Sequence, residues 1–349
     1  QDDFTNLTQT LGMVCPDGRA QPLQTAYRQC MDYAFEQVFT GATDYNTAIR
    51  QAVKNIADLG VRVIEYESGV HTSIEAATRR GYRLAALPDR LDAAVIAGDT
   101  GADVHVYEEV TSTNTVTRQL AADGCPAGTC VLAERQTAGK GRRGRGFASE
   151  AGGLYFSIVL RPGLLPEQIM HLTAMTAVAI RRAILETTGL DVGIKWTNDL
   201  VYDRRKLCGI LTELSIEAET RTVDYVVAGI GVNCNQTAFA PEIADIAASI
   251  RMETGKPVDR SLLANAMLRQ MFALAQELQS GRAAWLAEFA AHCITIGQPV
   301  QIIRGDTVRE AFAEGIDDEA ALLVRYADGT CEAVNSGEVS VRGLYGYVT

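Results

Sequence analysis

Between residues 104 and 296 the chain alternates short apolar runs with longer segments of helical periodicity. From Pro166 to Gly189 apolar side chains recur every three or four positions, which predicts a helix that starts near the proline and ends at the glycine. Apolar runs of strand length predict strands over 104–110, 130–133, 154–160, 193–196, 207–214 and 223–231. Two more helices are predicted over 261–279 and 283–293. Together these elements predict an α+β domain around a mainly antiparallel sheet.

The two ends of the chain follow other patterns. Residues 1–104 are predicted to be mostly helical, with helices over 23–39 and 45–59, a strand over 61–64 and a returning strand over 81–84. Two helices followed by a hairpin are typical of a winged helix. After Gly297 short strands separated by turn residues, over 300–304, 320–326 and 339–342, predict a small β-barrel. We therefore expect three domains, 1–104, 105–296 and 297–349.

The composition is that of a folded protein and disfavours several partners. Of the 349 residues 47% are hydrophobic, and the net charge of −11 disfavours nonspecific binding to nucleic acid or to membranes. The longest apolar run, 225–232, is far shorter than the roughly 18 residues of a membrane span. Eight scattered cysteines without a CxxC pair, and an acidic start without a secretory leader, predict a cytoplasmic protein with reduced thiols. The four histidines are too dispersed to predict a metal held by imidazoles.

One segment concentrates positive charge and glycine in this acidic chain. Residues 139–146 hold four basic side chains, four glycines and no acid, a composition that suits a bound polyanion. A solvated basic loop is the alternative interpretation. The segment matches GxGxxG, but a strand rather than a helix is predicted after it, so neither a dinucleotide-binding fold nor a P-loop is expected.

Three further segments carry polar groups at the ends of predicted strands. Lys195 and Lys206 are expected on paired strands, with both side chains pointing into one cleft. Asp199 is expected beside them, where it could hold magnesium. An ordinary turn with surface lysines is the alternative. At the start of a predicted helix, Ser112 or Thr113 is expected to be the N-terminal cap. The last segment, 229–235, ends a strand with polar residues.

The order and joint presence of these segments closely resemble the motif series of bacterial biotin protein ligases. The resemblance rests on 111–114, 139–146, 195–200, 205–211 and 229–233, and it runs from about residue 104 to the end, including 337–342. A more distant likeness over 46–84 resembles the winged helix of the bifunctional ligases that also repress biotin synthesis genes. The resemblance implies a class II synthetase-like catalytic domain followed by an SH3-like β-barrel.

Members of this family join the biotin carboxylate to ATP, with Mg²⁺, to give biotinyl-AMP and pyrophosphate. They then transfer the biotinyl group to a lysine on the biotin carboxyl carrier domain of acetyl-CoA carboxylase. The resemblance therefore implies biotin as substrate, ATP and Mg²⁺ as co-substrate and ion, and a carrier protein as partner. It also implies a homodimer.

The resemblance assigns roles to individual residues. Lys195 is implied as the main catalytic group, assisted by Arg142 and Asp199, and Asp199 is the candidate magnesium ligand. Residues 139–145 are implied to order over the intermediate. The implied biotin-binding residues are Ser112, Thr113, Asn114, Gln136, Lys140, Gly141, Arg142, Lys206 and Gly209. The implied nucleotide-binding residues are Arg142, Arg145, Lys195, Asn198, Asn233 and Arg342.

DNA binding by the N-terminal region is a separate hypothesis. The residues expected on the exposed face of its second helix are Asn46, Thr47, Arg50, Gln51 and Lys54. Against it, residues 1–104 hold nine basic and fourteen acidic residues, and the segment 65–80 makes the expected wing unusually long. A degenerate winged helix kept for packing is the alternative.

Two other functions compete with the ligase. A lipoate or octanoate transferase shares the catalytic fold, but lacks the combination of the basic glycine loop with the motif at 195–200. A biotin sensor that only binds DNA is expected to have lost the catalytic lysine, whereas Lys195 is present.

Overall fold

The computed structural model describes residues 74–77, 81–84, 89–335 and 340–343. The chain divides into two units at Pro88, and the second begins at Asp89. In the first, the described residues form an antiparallel hairpin of β1 (Ile74–Ala77) and β2 (Gly81–Leu84). The strand predicted over 81–84 is present. Its predicted partner over 61–64, both predicted helices and the five candidate DNA-binding residues lie outside the described ranges.

A seven-stranded sheet forms the centre of the second unit. Its strands are β3 (Val104–Val110), β4 (Cys130–Gln136), β5 (Gly153–Leu160), β6 (Gly193–Lys195), β7 (Asp199–Tyr202), β8 (Arg205–Ile216) and β9 (Val223–Asn233). They lie in the order β3-β4-β5-β9-β8-β7-β6. The sheet is mixed, because β3 and β4 are parallel and the five other neighbouring pairs are antiparallel. The apolar run in β5 is explained by burial at all eight of its positions.

Strand β7 corrects one prediction. Lys195 ends β6 and Lys206 lies in β8, and because β7 separates them the two lysines are not on paired strands. The turn predicted at 203–204 does join β7 to β8. Both of its residues have positive φ, 43° at Asp203 and 63° at Arg204, as two-residue hairpins of the commonest kind require.

Helices cover the two faces of the sheet unequally. In the part of the chain that the structure describes, the α-helices are α1 (Ala93–Ala97), α2 (Thr113–Ala122), α3 (Leu172–Thr188), α4 (Ile250–Thr254), α5 (Arg260–Glu277) and α6 (Arg282–His292). A 3-10 turn that begins at Pro166 precedes helix α3. Helix α3 itself ends at Gly189, whose φ of 72° makes the left-handed cap that glycine favours. Helices α3 and α5 share the main core with one face of β5 and β9. Helix α2 packs on the other face, where an uncovered part of the sheet remains.

The C-terminal part forms a second, five-stranded antiparallel sheet. Its strands are β10 (Pro299–Arg304), β11 (Thr307–Ile316), β12 (Leu322–Tyr326), β13 (Cys331–Val334) and β14 (Ser340–Gly343). The order β13-β12-β11-β10-β14 places β13 and β14 at the two edges. The indole Nε1 of Trp196 donates a 2.9 Å hydrogen bond to the Ala320 carbonyl, which ties the end of β6 to this sheet. Among the described helices, none has the length and apolarity needed to cross a membrane.

Candidate functional site

An open cleft of about 450 Å³ lies on the face of the sheet that α2 covers in part. Its lining residues come from the start of α2, the end of β4 and the loop after it, the turn between β6 and β7, and the paired strands β8 and β9. They are Ser112, Thr113, Asn114, Gln136, Lys140, Gly141, Arg142, Phe147, Asn198, Lys206, Gly209, Ile210, Leu211, Gly229, Ile230 and Gly231. All nine residues predicted to bind biotin line this cleft. The structure thus brings together segments that are up to about 120 residues apart in the sequence.

Hydrogen bonds fix the wall of the cleft at the start of α2. Thr113 donates to Gln136 Oε1 through its backbone N–H at 2.8 Å and through its hydroxyl at 3.1 Å. Ser112 occupies the N-cap position, but its side chain makes no capping hydrogen bond. The expected cap position at Ser112 is therefore confirmed, but no side chain caps the helix, because Thr113 bonds to Gln136 in β4 instead. Both side chains are free of the capping role and line the cleft.

Sequence reasoning missed Ser157, which lies under this wall. Its side chain is 0% exposed, and Oγ lies 2.8 Å from Thr113 Oγ1 and 2.7 Å from Asn114 Oδ1. Ser157 is opposite Gly229 in the register of β5 and β9. One signal was available, because Ser157 is the only hydroxyl-bearing aliphatic residue in an otherwise apolar strand. A polar group at such a position requires a buried partner.

The opposite end of the cleft is cationic. Lys206 Nζ lies 2.6 Å from Asp199 Oδ1, and Arg142 Nη1 donates a 2.8 Å hydrogen bond to Asn198 Oδ1. Burial lowers the pKa of Arg142 from its usual value, while the Asp199 carboxylate opposes this shift. Lys140 also lines the cleft. Three cations near one carboxylate leave an excess of positive charge, which suits a phosphate-bearing ligand.

The basic glycine segment forms a closed loop against the sheet. Gly141 N–H donates to the Arg145 carbonyl at 2.7 Å, and Phe147 N–H donates to the Gly139 carbonyl at 2.9 Å. Gly209 and Gly231 are directly opposite in β8 and β9, and a Cβ at Gly231 would approach the Phe147 ring to 2.5 Å. The paired glycines therefore open the space that this ring occupies. Sequence reasoning did not single out Phe147.

Among the predicted site residues whose side chains the structure describes, four do not line the cleft: Arg145, Lys195, Asp199 and Asn233. Lys195 is 9% exposed at the end of β6, where its backbone pairs with Asp199. Asn233 Nδ2 donates to the carbonyls of Lys206 and Ala248, at 3.3 and 3.0 Å. Arg145 is exposed on the loop. Arg342 pairs with Gln301 through the backbone of β14, and its side chain lies outside the described part of the structure.

The residues around Asp199 suit a magnesium ion that arrives with a nucleotide. Among the described residues, no three His, Cys, Asp or Glu side chains are grouped to hold a metal. Asp199 supplies one carboxylate, which Lys206 already contacts. Mg²⁺ commonly binds through one or two carboxylates together with phosphate oxygens and water. Asp199 therefore fits as one protein ligand, with the remaining ligands supplied by the nucleotide.

Comparisons with known proteins agree with this architecture. Residues 106–233 match the family model described as "Biotin/lipoate A/B protein ligase family", and residues 295–342 match "Biotin protein ligase C terminal domain". Residues 1–83 match a different model, "Phage minor capsid protein 2".

Two curated relatives and one solved structure resemble long stretches of the chain. The bifunctional ligase/repressor BirA of Bacillus subtilis is 34% identical over 73% of this chain and 81% of its own length. BirA of Escherichia coli is 30% identical over 84% of this chain and 88% of its own length. The biotin protein ligase of Aquifex aeolicus, solved in complex with biotin and ATP, has a TM-score of 0.61 and 28% identity, and covers 69% of this chain and 99% of that one.

The mixed sheet, the cation-lined cleft and the C-terminal antiparallel sheet define the class of protein as a biotin or lipoate protein ligase. Within this class, the chain belongs to the biotin protein ligase family. It is an enzyme of the ligase type, as the sequence motifs predict, and ligases of this family use ATP and Mg²⁺ with biotin as substrate.

Proposed function

We propose that this protein activates biotin with ATP to biotinyl-5′-AMP and then transfers the biotinyl group to a lysine of the biotin carboxyl carrier domain of acetyl-CoA carboxylase. The observation that supports this most directly is the continuity of one cleft. Its hydrogen-bonding wall at Thr113 and Asn114 joins a cationic end at Arg142 and Lys206. The polar ring of an acid such as biotin would contact this wall, and the carboxylate at the end of its tail would reach the cations.

The cationic end addresses the main obstacle to this reaction. The carboxylate must attack an α-phosphate although both groups are negative, so positive side chains must stabilise the charge that develops between them. In this proposal Arg142 and Lys206, which both line the cleft, supply part of that charge, and we assign Lys195 to the same task on the basis of the sequence resemblance. Mg²⁺ supplies further neutralisation of the phosphates when it is bound with ATP, with Asp199 as its protein ligand. Asn198 holds Arg142 in position through its 2.8 Å hydrogen bond.

The basic loop has a second task in this proposal. A mixed anhydride such as biotinyl-AMP reacts with water, so the enzyme must shield it until the carrier lysine arrives. Gly139 to Arg145 covers one side of the cleft and is closed by the hydrogen bond from Gly141 to Arg145. We propose that this loop orders over the intermediate, with Arg145 contacting the nucleotide in that state. Asn233 and Arg342 stay candidates for nucleotide contact.

Incubation of the purified protein with biotin, ATP and Mg²⁺ is expected to yield biotinyl-AMP and pyrophosphate, both detectable by mass spectrometry. Chelation of Mg²⁺ with EDTA should stop product formation while leaving biotin binding, measured calorimetrically, in place. Lipoate and octanoate serve as rival substrates in parallel reactions. Adenylation of octanoate or lipoate in preference to biotin would contradict the proposal, and biotin binding without ATP consumption would favour the sensor.

We also propose that the N-terminal region before Asp89 forms a winged helix that binds operator DNA, and that the C-terminal sheet closes as an SH3-like barrel. The alignment with the Escherichia coli repressor supports the first point. It covers 84% of this chain, whereas residues 89–349 are only 261 of the 349, so it extends into the first 88 residues. The alternative is a degenerate winged helix kept only for packing, and the match of residues 1–83 to a capsid-protein model counts against DNA recognition. Homodimerisation stays a further proposal.

Filter binding with a promoter fragment of biotin synthesis genes tests the DNA hypothesis. We expect binding that strengthens with biotin and ATP, and that weakens when Arg50 and Lys54 are both replaced by alanine. Because each lost phosphate contact lowers the salt dependence, the slope of log affinity against log salt should become shallower by about 1 to 2. Retention equal to that of an unrelated fragment would contradict DNA recognition.

A further inference from the structure

The side-chain amide of Asn114 is held in a single orientation. Its Nδ2 lies 2.8 Å from Glu213 Oε2 and 3.4 Å from the Leu211 carbonyl oxygen. A carboxylate and a carbonyl only accept hydrogen bonds, so the NH₂ group must face them. Asn114 Oδ1 is therefore turned toward Ser157 and Gly229. The amide presents its acceptor, and not its donor, on that side.

Glu213 is itself fixed from the helix that carries Asn114. Arg118 lies four residues after Asn114 on α2, so both side chains are on the same face of that helix. Arg118 Nη1 lies 3.6 Å from Glu213 Oε1, while Asn114 contacts Oε2. One carboxylate on β8 thus holds two residues of α2, one through each oxygen.

The neighbouring polar groups also present acceptors. Ser149 Oγ donates to the Phe147 carbonyl at 2.9 Å, so it accepts from Gln136 Nε2, and Gln136 Oε1 must then face Thr113. The Thr113 hydroxyl hydrogen is engaged with this oxygen. Ser157 has one hydroxyl hydrogen for two acceptors, on Thr113 and Asn114.

Counted together, these buried groups offer more acceptors than hydrogens. Thr113 and Asn114 are only 3% and 4% exposed, so water has little access to their unused lone pairs. A ligand N–H group could donate to a lone pair that these oxygens do not use. A purely hydrocarbon ligand would gain no hydrogen bond there, and this difference favours the N–H ligand.

We propose that Glu213 is a positioning residue that sets the specificity of this cleft for acids whose ring carries N–H donors, such as a cyclic urea, against acids with plain hydrocarbon tails. Glu213 does so by keeping the Asn114 oxygen toward the ligand. This inference rests on the proposed function, because it takes a ureido acid as the substrate.

Kinetics of adenylation with Glu213→Ala and Glu213→Gln test the inference. In Glu213→Ala the KM for biotin should rise about 10-fold, as expected for loss of a hydrogen bond to a charged group. The KM for ATP should stay within about twofold. Glu213→Gln should have a smaller effect, because the glutamine amide can turn either end toward Asn114. The preference for biotin is measured as its kcat/KM divided by the kcat/KM of biotin methylated at a ureido nitrogen. This ratio should fall by about the same factor as the KM for biotin rises.

Glu217→Gln is the matched control. It removes a carboxylate just beyond the end of β8, where Glu217 is exposed and accepts a hydrogen bond from Thr220, so both KM values and the preference should be unchanged. If wild type forms biotinyl-AMP and Glu213→Ala keeps the wild-type preference, the positioning role is wrong while the proposed function stands. Equal rises of both KM values with an unchanged preference would indicate a structural role and also overturn the inference. If wild type forms no biotinyl-AMP, the proposed function fails first.

Discussion

Replacement of Lys195 by alanine is expected to lower the rate of biotinyl-AMP formation about 100- to 1,000-fold, the usual cost of removing one preorganised charge from an active site. The lysine is 9% exposed and ends β6 beside Asp199, so its charge acts where water screens it little. Biotin-dependent exchange of pyrophosphate into ATP measures this step directly. The same assay reports whether the loss lies in the rate or in the KM for either substrate.

Two variants separate a catalytic loss from a loss of folding. Lys195→Arg keeps the positive charge and should recover part of the rate, whereas Lys256→Ala removes an exposed lysine and should keep wild-type activity. Thermal unfolding shows whether Lys195→Ala folds. A folded Lys195→Ala protein within threefold of the wild-type rate would mean that Arg142 and Lys206 suffice, and that the role implied by the resemblance is wrong for this chain.

Local patterns predicted most of the central architecture because each element carries its own signal. The apolar run over 154–160 matches β5, and the spacing between Pro166 and Gly189 matches the 3-10 turn and α3. The sequence also excluded a dinucleotide-binding fold, and the basic loop is indeed followed by a strand. These elements depend on short-range spacing, capping and burial, which a single sequence displays.

Strands without a continuous apolar face were missed. Strand β7 has four residues and begins with Asp199, so it offers too few positions for a pattern. Strand β11 is exposed at its first four positions, so it has no continuous apolar face. Only Val308, Phe312 and the residues beside them are of types that favour a strand. Both are held by hydrogen bonds to strands on either side. Their conformation depends on pairing partners, which the local sequence does not specify.

The residues of the candidate site also fall into two groups, those that the sequence predicted and those that it did not. Residues in compact motifs were predicted: Arg142 through the basic glycine cluster, Lys206 as one of two strand lysines, and the roles of both through the family resemblance. Glu213, Ser157 and Phe147 were not, because each becomes important only when distant segments meet. Asn114 and Glu213 are 99 residues apart and form a 2.8 Å hydrogen bond. Pairwise packing of this kind is a property of the fold, and no spacing rule in one sequence predicts it.

Gly229→Ala is expected to raise the dissociation constant for biotin about 10-fold or more, since it disrupts a buried hydrogen-bonded group. A Cβ at Gly229 would lie 1.8 Å from Asn114 Oδ1 and 2.6 Å from its Cγ, so the Asn114 side chain must move. Movement separates it from Glu213 and Ser157, which hold it in the cleft wall. Isothermal titration with biotin, in the presence and absence of ATP, measures the loss.

Gly315→Ala is the control for the methyl group itself. Gly315 lies in β11, and a Cβ there meets nothing within 4 Å, so this variant should bind biotin as the wild type does. The two substitutions add the same atom to a strand glycine and differ in what surrounds it. If Gly229→Ala bound biotin within twofold of the wild type while remaining folded, the position of Asn114 would not matter for binding. The wall formed by Thr113, Asn114 and Ser157 would then not be the part of the cleft that recognises the ligand.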